Sequence, residues 1–297
     1  MRFALTGEQR ELASAVREML AKECPPEVAR AGDVASVWPT FAGLGVLGDS
    51  DFGLVEAVIV AEEAGRAGLP GPLPETYAAL AIADADWRSR IASGAALVTA
   101  AAPYAAYADA ADGIAVGNAL RTDLVTTSVE SVDPARPLSA VDAERVTGRA
   151  HDIGALVTSA YLVGLGRAMV EQAVAYARAR EQFGRVIGSF QAVKHRLADA
   201  HIAVEFARPV ALAAAWGMDN DVASTERDVS HAKLRAGRAA HVAAKAALQV
   251  HGAIGYTEEC DLVIWLRRTW SMTSSFGDDS THRARIARDI ARAPERV

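Results

Sequence analysis

The chain has 297 residues, and its 31 lysines and arginines against 37 aspartates and glutamates give a formal net charge of −6. This acidic balance argues against a nucleic-acid partner, because nucleic-acid binding relies on an excess of cations facing the phosphates. With 51% hydrophobic residues the chain can bury large cores, which excludes a mainly disordered protein, and its length predicts two or three compact regions.

Cysteine usage and the lengths of the apolar runs narrow the class of protein further. Cys24 and Cys260 lie far apart and outside any CxxC spacing, which predicts neither a disulfide framework nor a metal site and fits a reducing cytoplasm. The first residues reach charged positions too early for a secretory signal, and apolar stretches such as 209–218 are too short to cross a bilayer. We therefore expect a cytoplasmic protein without a membrane segment.

Helical signals dominate the N-terminal third of the chain. Thr6 followed three positions later by Gln9 has the pattern of a capping box at a helix start. A second helix is predicted over residues 52–67, with Gly68 as its terminator. The Pro-rich turn at 69–75 interrupts this pattern, and we expect a short helix after it.

The pattern changes to β-branched runs between about residues 96 and 144. Runs at 97–99, 113–117 and 124–132 are separated by turn residues, which predicts five or six short strands. Long helical patterns return from about residue 151. The clearest of these covers 190–216 and places five residues on one face, namely Val193, Leu197, His201, Val204 and Ala207.

These patterns predict a mostly α protein in three parts. We assign residues 1–95 to an N-terminal helical domain, 96–148 to a reduced β domain, and 149–297 to a C-terminal helical bundle. Alanine-rich seams at 211–215 and 239–247 permit close helix approach and leave an interface for other chains.

A cationic turn lies between the first two long helices of the C-terminal part. The sequence Phe183-Gly184 ends one helical pattern shortly before another begins, so helix-start amides are expected beside it. Positive charge with such amides suits a phosphate or pyrophosphate, although an ordinary interhelical turn with solvated arginines explains the same pattern. The cations around the turn are Arg180, Arg185, Lys194 and Arg196.

A glycine-containing loop follows the third long helix. Gly252 and Gly255 allow the backbone to leave a helix and to approach a ligand closely. Gln249 and His251 supply hydrogen-bonding groups nearby. An interhelical turn without a ligand is again the simpler explanation of this segment when it is taken by itself.

Taken together, the two segments resemble motifs of the acyl-CoA dehydrogenase family. The RxxFG turn of that family stands here as Arg180-Glu181-Gln182-Phe183-Gly184, with a downstream Gln at Gln191. Its QxxGGxG loop stands as the sequence QVHGAIG over 249–255. The N-terminal stretch FGLVEAVIVAEEAGRAGLPGP is similar to the LxxxxxxEELGR stretch of the family, so the resemblance covers most of the chain except its middle.

The resemblance implies an N-terminal helical domain, a middle β domain and a C-terminal four-helix bundle, with FAD as the cofactor. In the family the first turn and the Gln after it contact FAD, and the glycine loop contacts the FAD of a neighbouring subunit. Those contacts are therefore expected of Arg180, Gln182, Phe183, Gln191, Gln249, His251, Gly252 and Ala253.

Family chemistry is the α,β-dehydrogenation of an acyl-CoA thioester, in which a carboxylate removes the α proton while a hydride passes to the flavin. The usual Glu position falls here on Phe276 and the alternative position on Gly154, so the catalytic residue stays unknown. Asp278 and Asp279 follow as candidate bases, although both also suit the start of a helix. Two further candidate proton acceptors are His251 and His282.

Both the missing base and the short β segment indicate a specialised subunit. Some bacterial acyl-CoA dehydrogenases are α2β2 heterotetramers, and this chain resembles their shortened subunit. It would bind FAD only against a full-length homologue, supplying the 249–255 loop and Arg180, and a bulky polycyclic acyl-CoA such as a steroid derivative would suit the wider cleft. Two alternatives stay open: a non-catalytic helical scaffold, and a homo-oligomeric flavoenzyme that uses Asp278 or Asp279.

Overall fold

The computed structural model describes residues 4–48 and 52–292. The predicted start of the first domain at residue 1 and the predicted end of the last domain at residue 297 therefore lie outside the described part of the chain. Within it, the N-terminal part contains six helices: α1 (Gly7–Glu23), α2 (Pro26–Ala31), α3 (Val34–Ala42), α4 (Leu54–Ala67), α5 (Leu73–Leu80) and α6 (Ala85–Ala92).

The predicted helix signals at α1 and α4 are confirmed. The Thr6 hydroxyl accepts a hydrogen bond from the Gln9 amide at 3.2 Å, and the Gln9 side chain accepts one from the Thr6 amide at 3.0 Å. Gly68 ends α4 in the left-handed conformation. The predicted turn at 69–75 is too long, however, because α5 already begins at Leu73. Proline is compatible with the first helical positions, where its missing amide hydrogen would have no partner within the helix.

The middle part contains the predicted number of strands. Two three-stranded sheets have the orders β1-β3-β4 and β2-β6-β5, and only the β1–β3 pair is parallel. Strands β1 and β3 are buried and pack against α5. The six strands are β1 (Val98–Ala100), β2 (Ala105–Ala106), β3 (Gly113–Val116), β4 (Ala119–Arg121), β5 (Thr126–Val129) and β6 (Leu138–Val141).

Long antiparallel helices form the C-terminal part, as predicted. The 190–216 pattern corresponds to α8, and four of the five residues on its predicted face are at least partly buried, whereas His201 is exposed. The elements are α7 (Gly148–Ala179), β7 (Glu181–Gln182), β8 (Arg185–Val186), α8 (Gln191–Asp219), α9 (Thr225–His251), α10 (Leu262–Met272) and α11 (Asp279–Arg292).

Among the described helices, α7 alone has the length and apolar composition that could cross a membrane. Its most apolar window is 94% buried inside this fold, however, which is the burial of a central core helix. The helix lies between α4, α5, α8 and α9.

Helices α4 and α7 cross at two glycines. A Cβ atom on Gly65 would lie well inside 3.0 Å of the Tyr161 carbonyl oxygen, and one on Gly164 would lie equally close to the Glu62 carbonyl oxygen. Only glycine permits this approach, because real Cβ atoms do not come so near to a backbone oxygen. The N-terminal and C-terminal helices therefore pack backbone against backbone at this crossing.

Two buried ion pairs fasten the middle part to the helices on both sides. The Arg268 guanidinium of α10 donates to the Asp133 carboxylate, and it also donates to the Leu69 carbonyl at 3.0 Å. The Arg136 guanidinium donates to the Glu75 carboxylate of α5 at 2.6 Å. All four charged side chains are nearly inaccessible to solvent. The segment between β5 and β6 is thereby locked between α5 and α10.

Candidate functional site

The RxxFG motif forms a tight hairpin between α7 and α8. Phe183 and Gly184 both have positive φ angles, 55° and 74°, as the two central residues of a type I′ hairpin turn require. The Ile187 amide donates to the Arg180 carbonyl at 2.7 Å and closes the base of the hairpin. The turn holds the Phe183 ring 90% exposed to solvent.

A cavity of about 450 Å³ lies beside this hairpin and receives residues from both predicted motifs. Gln182 and Phe183 come from the hairpin, and Gln249 comes from the last turn of α9. The rest of its wall is formed by Ile187, Phe190, Ala192, Val193, Arg196 and Val250. The two motifs are separated by more than sixty residues in the chain, yet they form walls of one cavity within the same subunit.

The cavity combines aromatic surface with positive charge. The Phe183 and Phe190 rings meet edge to face at 6.2 Å between centroids, and the Arg185 guanidinium lies 4.0 Å above the Phe190 ring. Ala192 and Arg196 of the first turns of α8 line the cavity, so the positive dipole end of this helix lies beside it. No side chain caps that helix start in the described structure. Such a surface suits a planar ring attached to phosphate.

The other predicted cofactor residues surround the cavity without lining it. Arg180 ends α7, where its amide donates to the Tyr176 carbonyl, and Gln191 is the exposed first residue of α8. Gly252 turns the chain away from α9 with a φ of 67°, and Ala253 after it is exposed.

His251 has a structural position. Its Nδ1 atom donates to the Ala247 carbonyl at 2.8 Å, since a carbonyl can only accept, and its ring stacks on Tyr176 at 4.4 Å. The side chain is buried against the bundle, so its predicted cofactor contact stays a prediction.

Sequence reasoning missed the apolar part of the cavity wall, notably Phe190. The available signal was its position, because Phe190 immediately precedes α8 and follows the hairpin within a few residues. A large apolar residue at a helix start usually packs against a nearby element, and here it packs against the hairpin turn.

Phe276 is the residue that the sequence predicts at the usual Glu position of the family. The side chain is only 1% exposed, and its ring lies against the Cα atom of Gly154, the residue predicted at the alternative Glu position. A Cβ atom on Gly154 would lie well inside 3.0 Å of that ring. The two positions are therefore adjacent in space, and an apolar ring fills the room between them.

Two buried basic groups hold the loop that carries Phe276. The Lys233 ammonium donates to the Thr273 carbonyl at 2.7 Å and to the Gly277 carbonyl at 3.3 Å. His282 Nε2 donates to the Phe276 carbonyl at 3.0 Å, which leaves Nδ1 to accept from the Ser230 hydroxyl. Burial lowers the pKa of Lys233 to about 7 and the pKa of His282 to about 4.

Asp278 and Asp279 lie at the start of α11, as their helix-start interpretation predicts. The Asp278 carboxylate accepts hydrogen bonds from the Thr281 hydroxyl, the Thr281 amide and the Ser280 hydroxyl, which lower its pKa to about 2. Asp279 pairs with Arg283 at 3.2 Å. This geometry favours the capping role of Asp278 over a role as base.

We expect His282 to make stability depend on pH below neutrality. Between about pH 6.5 and pH 4 the unfolded chain takes up a proton that the folded, neutral His282 does not, so stability falls by up to about 3 kcal/mol as the pH drops through this window. His282→Gln keeps a donor and an acceptor but does not titrate. Denaturant unfolding of both proteins at about pH 7 and pH 4 measures the difference, and an equal loss in both would contradict it.

No group of three or more His, Cys, Asp or Glu side chains is placed to hold a metal ion within residues 4–48 and 52–292.

Comparisons with known proteins agree with this architecture. Residues 145–291 match the family model described as acyl-CoA dehydrogenase, C-terminal domain. The curated acyl-CoA dehydrogenase IpdE2 of Mycobacterium tuberculosis is 32% identical over an alignment 293 positions long, gaps included, that covers 88% of this chain and 90% of that protein.

Two solved structures share the fold over almost the whole length. A chain of the ChsE4-ChsE5 complex from Mycobacterium tuberculosis superposes with a TM-score of 0.84 at 24% identity, covering 99% of this chain and 100% of that one. A chain of the Tcur3481-Tcur3483 steroid ACAD superposes with a TM-score of 0.84 at 22% identity, covering 96% and 98%. From the family model and the similarity to IpdE2 over most of both chains, we conclude that the chain belongs to the acyl-CoA dehydrogenase family.

Proposed function

We propose that this chain is a subunit of an FAD-dependent acyl-CoA dehydrogenase that supplies one wall of the FAD site and no catalytic base. The observation that carries the proposal is the single cavity that Gln182, Phe183 and Gln249 line together. These residues come from both family motifs. The exposed ring among them, that of Phe183, lies near the start of α8.

The cavity fits the adenosine and pyrophosphate part of FAD. Its volume of about 450 Å³ lies in the range of small-molecule sites. In this proposal the rings of Phe183 and Phe190 hold the adenine ring, and the side chains of Gln182 and Gln249 form hydrogen bonds to the nucleotide. Arg196 and the start of α8 face the phosphates. The surrounding frame of the site is formed by Arg180, Gln191, His251, Gly252 and Ala253.

When bound, FAD accepts the hydride that leaves the β carbon of the acyl-CoA. This chain cannot remove the α proton at the usual position, because Phe276 has no proton acceptor and its ring closes the space over Gly154. The base must then be a carboxylate of a full-length acyl-CoA dehydrogenase homologue, and the role of this chain is to bind and orient the nucleotide end of the cofactor.

An α2β2 assembly acting on a bulky polycyclic acyl-CoA completes the proposal. Support comes from two structural neighbours that are each named for two proteins, the ChsE4-ChsE5 complex and the Tcur3481-Tcur3483 steroid ACAD. The described cysteines, Cys24 and Cys260, are both free thiols, which fits a cytoplasmic location.

The test is co-expression with full-length acyl-CoA dehydrogenases of the same organism, followed by measurement of bound FAD. We expect about one FAD for each heterodimer, and we expect Phe183→Ala to weaken FAD binding about tenfold or more through lost stacking. Phe52→Ala, which removes a partly exposed ring outside the cavity, is the matched control.

Other outcomes of this experiment separate the alternatives. Saturation of the isolated chain with FAD would contradict the need for a partner, and a colourless chain in every combination would favour the scaffold alternative. If the isolated chain shows dehydrogenase turnover that Asp278→Asn or Asp279→Asn abolishes, the homo-oligomeric enzyme is correct instead.

A further inference from the structure

Beyond its first turn, the exposed side of α9 carries cations and no carboxylate. Between Asp228 and Glu258 the sequence contains no acidic residue. Six exposed positions repeat there at steps of four and three residues, which places them on one side of the helix at the spacing of a helix–helix contact seam. This α9 stripe consists of His231, Arg235, Arg238, Val242, Lys245 and Gln249.

Helix α8 places large apolar side chains beside this stripe. Ile202 is 51% exposed and Phe206 is 63% exposed, which is unusual for two such residues one helical turn apart. Together with His195 and Asp199 they form one row on α8, spaced at the same alternating steps of four and three residues. This α8 row consists of His195, Asp199, Ile202 and Phe206. Because α8 and α9 are antiparallel neighbours joined by a short connection, this row runs alongside the α9 stripe.

A groove of about 450 Å³ separates the two rows. His195 and Asp199 line it from α8, and Val242 and Lys245 line it from α9. Its wall also includes Ala192 and Arg196, which line the nucleotide cavity as well. The groove is therefore continuous with the cavity to which we assign the cofactor.

We propose that the groove, the α9 stripe and the exposed apolar residues of α8 form a docking surface for a helix of a different subunit. That helix has an apolar row that packs on Ile202, Phe206 and Val242, flanked by carboxylates that pair with Arg235, Arg238 and Lys245. The inference rests on the proposed function, and it specifies the chemistry of the partner surface.

A second copy of this chain does not fit the same surface. Symmetric self-association would bring two α9 stripes, or one stripe and the α8 row, face to face. The α8 row offers a single carboxylate, Asp199, against the three fixed cations of the stripe. Like charges across a contact are strongly unfavourable, so the charge pattern selects a different and acidic partner.

The direct test is carbodiimide cross-linking of the heteromeric complex. This reagent joins an amine to a carboxylate in contact with it, and Lys245 is the only lysine of the stripe. We expect mass spectrometry to show Lys245 joined to an Asp or Glu of the partner, with the link lost in Lys245→Arg. A link from Lys245 to a second copy of this chain, or no link although the complex forms, would overturn the inference.

Charge reversal supplies a second measurement. Arg235→Glu with Arg238→Glu is expected to weaken the complex more than about tenfold, and high salt is expected to weaken the wild-type complex. Ile202→Ser with Phe206→Ser should also weaken it. The control pair, Arg88→Glu with Arg145→Glu, makes the same charge change at exposed positions of the N-terminal and middle parts.

The outcomes separate this inference from the proposed function. A flavin-containing heteromer that tolerates all these changes contradicts the docking surface and leaves the proposed function standing. The absence of any heteromer contradicts both, and the FAD content of the isolated chain then shows which alternative function applies.

Discussion

Gly164→Ala is expected to destabilise the protein by about 3 kcal/mol or more, because its new methyl group would meet the backbone of α4. The nearest atoms are the Glu62 carbonyl oxygen and the Arg66 amide nitrogen, neither of which can move without shifting the helix. Such a shift would also disturb the Glu62 carboxylate, which accepts from Arg167 and Arg208. The measurement is the free energy of unfolding from urea denaturation.

Gly237→Ala is the matched control, since this glycine also lies in a long helix of the bundle. Its added Cβ would have only the Thr273 side chain at 3.8 Å, an ordinary contact distance. Alanine is the better helix former, so Gly237→Ala is expected to be neutral or to stabilise by up to about 1 kcal/mol. Equal effects at both glycines would show that the α4–α7 crossing is not the constraint.

Asp133→Ala is expected to cost about 3 to 5 kcal/mol of stability, because it leaves the Arg268 guanidinium buried without its carboxylate. The remaining partners of Arg268 are neutral oxygens, including the Leu69 carbonyl and the Tyr161 hydroxyl. The loss should appear as a lower denaturation midpoint and as earlier proteolysis of the segment between β5 and β6.

Asp123→Ala is the control for that prediction. The Asp123 carboxylate pairs with Arg121 at 2.7 Å, but both side chains are at least half exposed to water. Water screens such exposed pairs, so this substitution should leave the denaturation midpoint almost unchanged. If the two aspartates behaved alike, burial of the Arg268 pair would not be the cause of its effect.

Local signals explain why much of the fold was predictable from the sequence. The capping box at Thr6, the terminator Gly68 and the β-branched runs of the middle part each act within a few residues. The local sequence is therefore enough to predict the helix start, the helix end and the strands at these places. The start of α5 was misplaced because proline serves both as a turn residue and as a first-turn helix residue.

Long-range pairing explains what could not be predicted. Nothing near Asp133 or Arg136 in the chain indicates that they reach Arg268 and Glu75, which lie in different helices. The motifs named Gln182, Phe183 and Gln249 as site residues, but the cavity that joins them depends on how α7, α8 and α9 pack. Periodicity predicts His201 on the buried face, but the residue borders an open groove between α7 and α8, which periodicity alone cannot show.

The contact between Phe276 and Gly154 opposes a carboxylate at either position. A glutamate introduced at Gly154 collides with the aromatic ring, and a glutamate introduced at Phe276 buries a carboxylate in the space that the ring fills. A carboxylate at either position is therefore disfavoured by the residue at the other position. Placing one there requires both residues to change together, so no single substitution converts this pair into a buried acid.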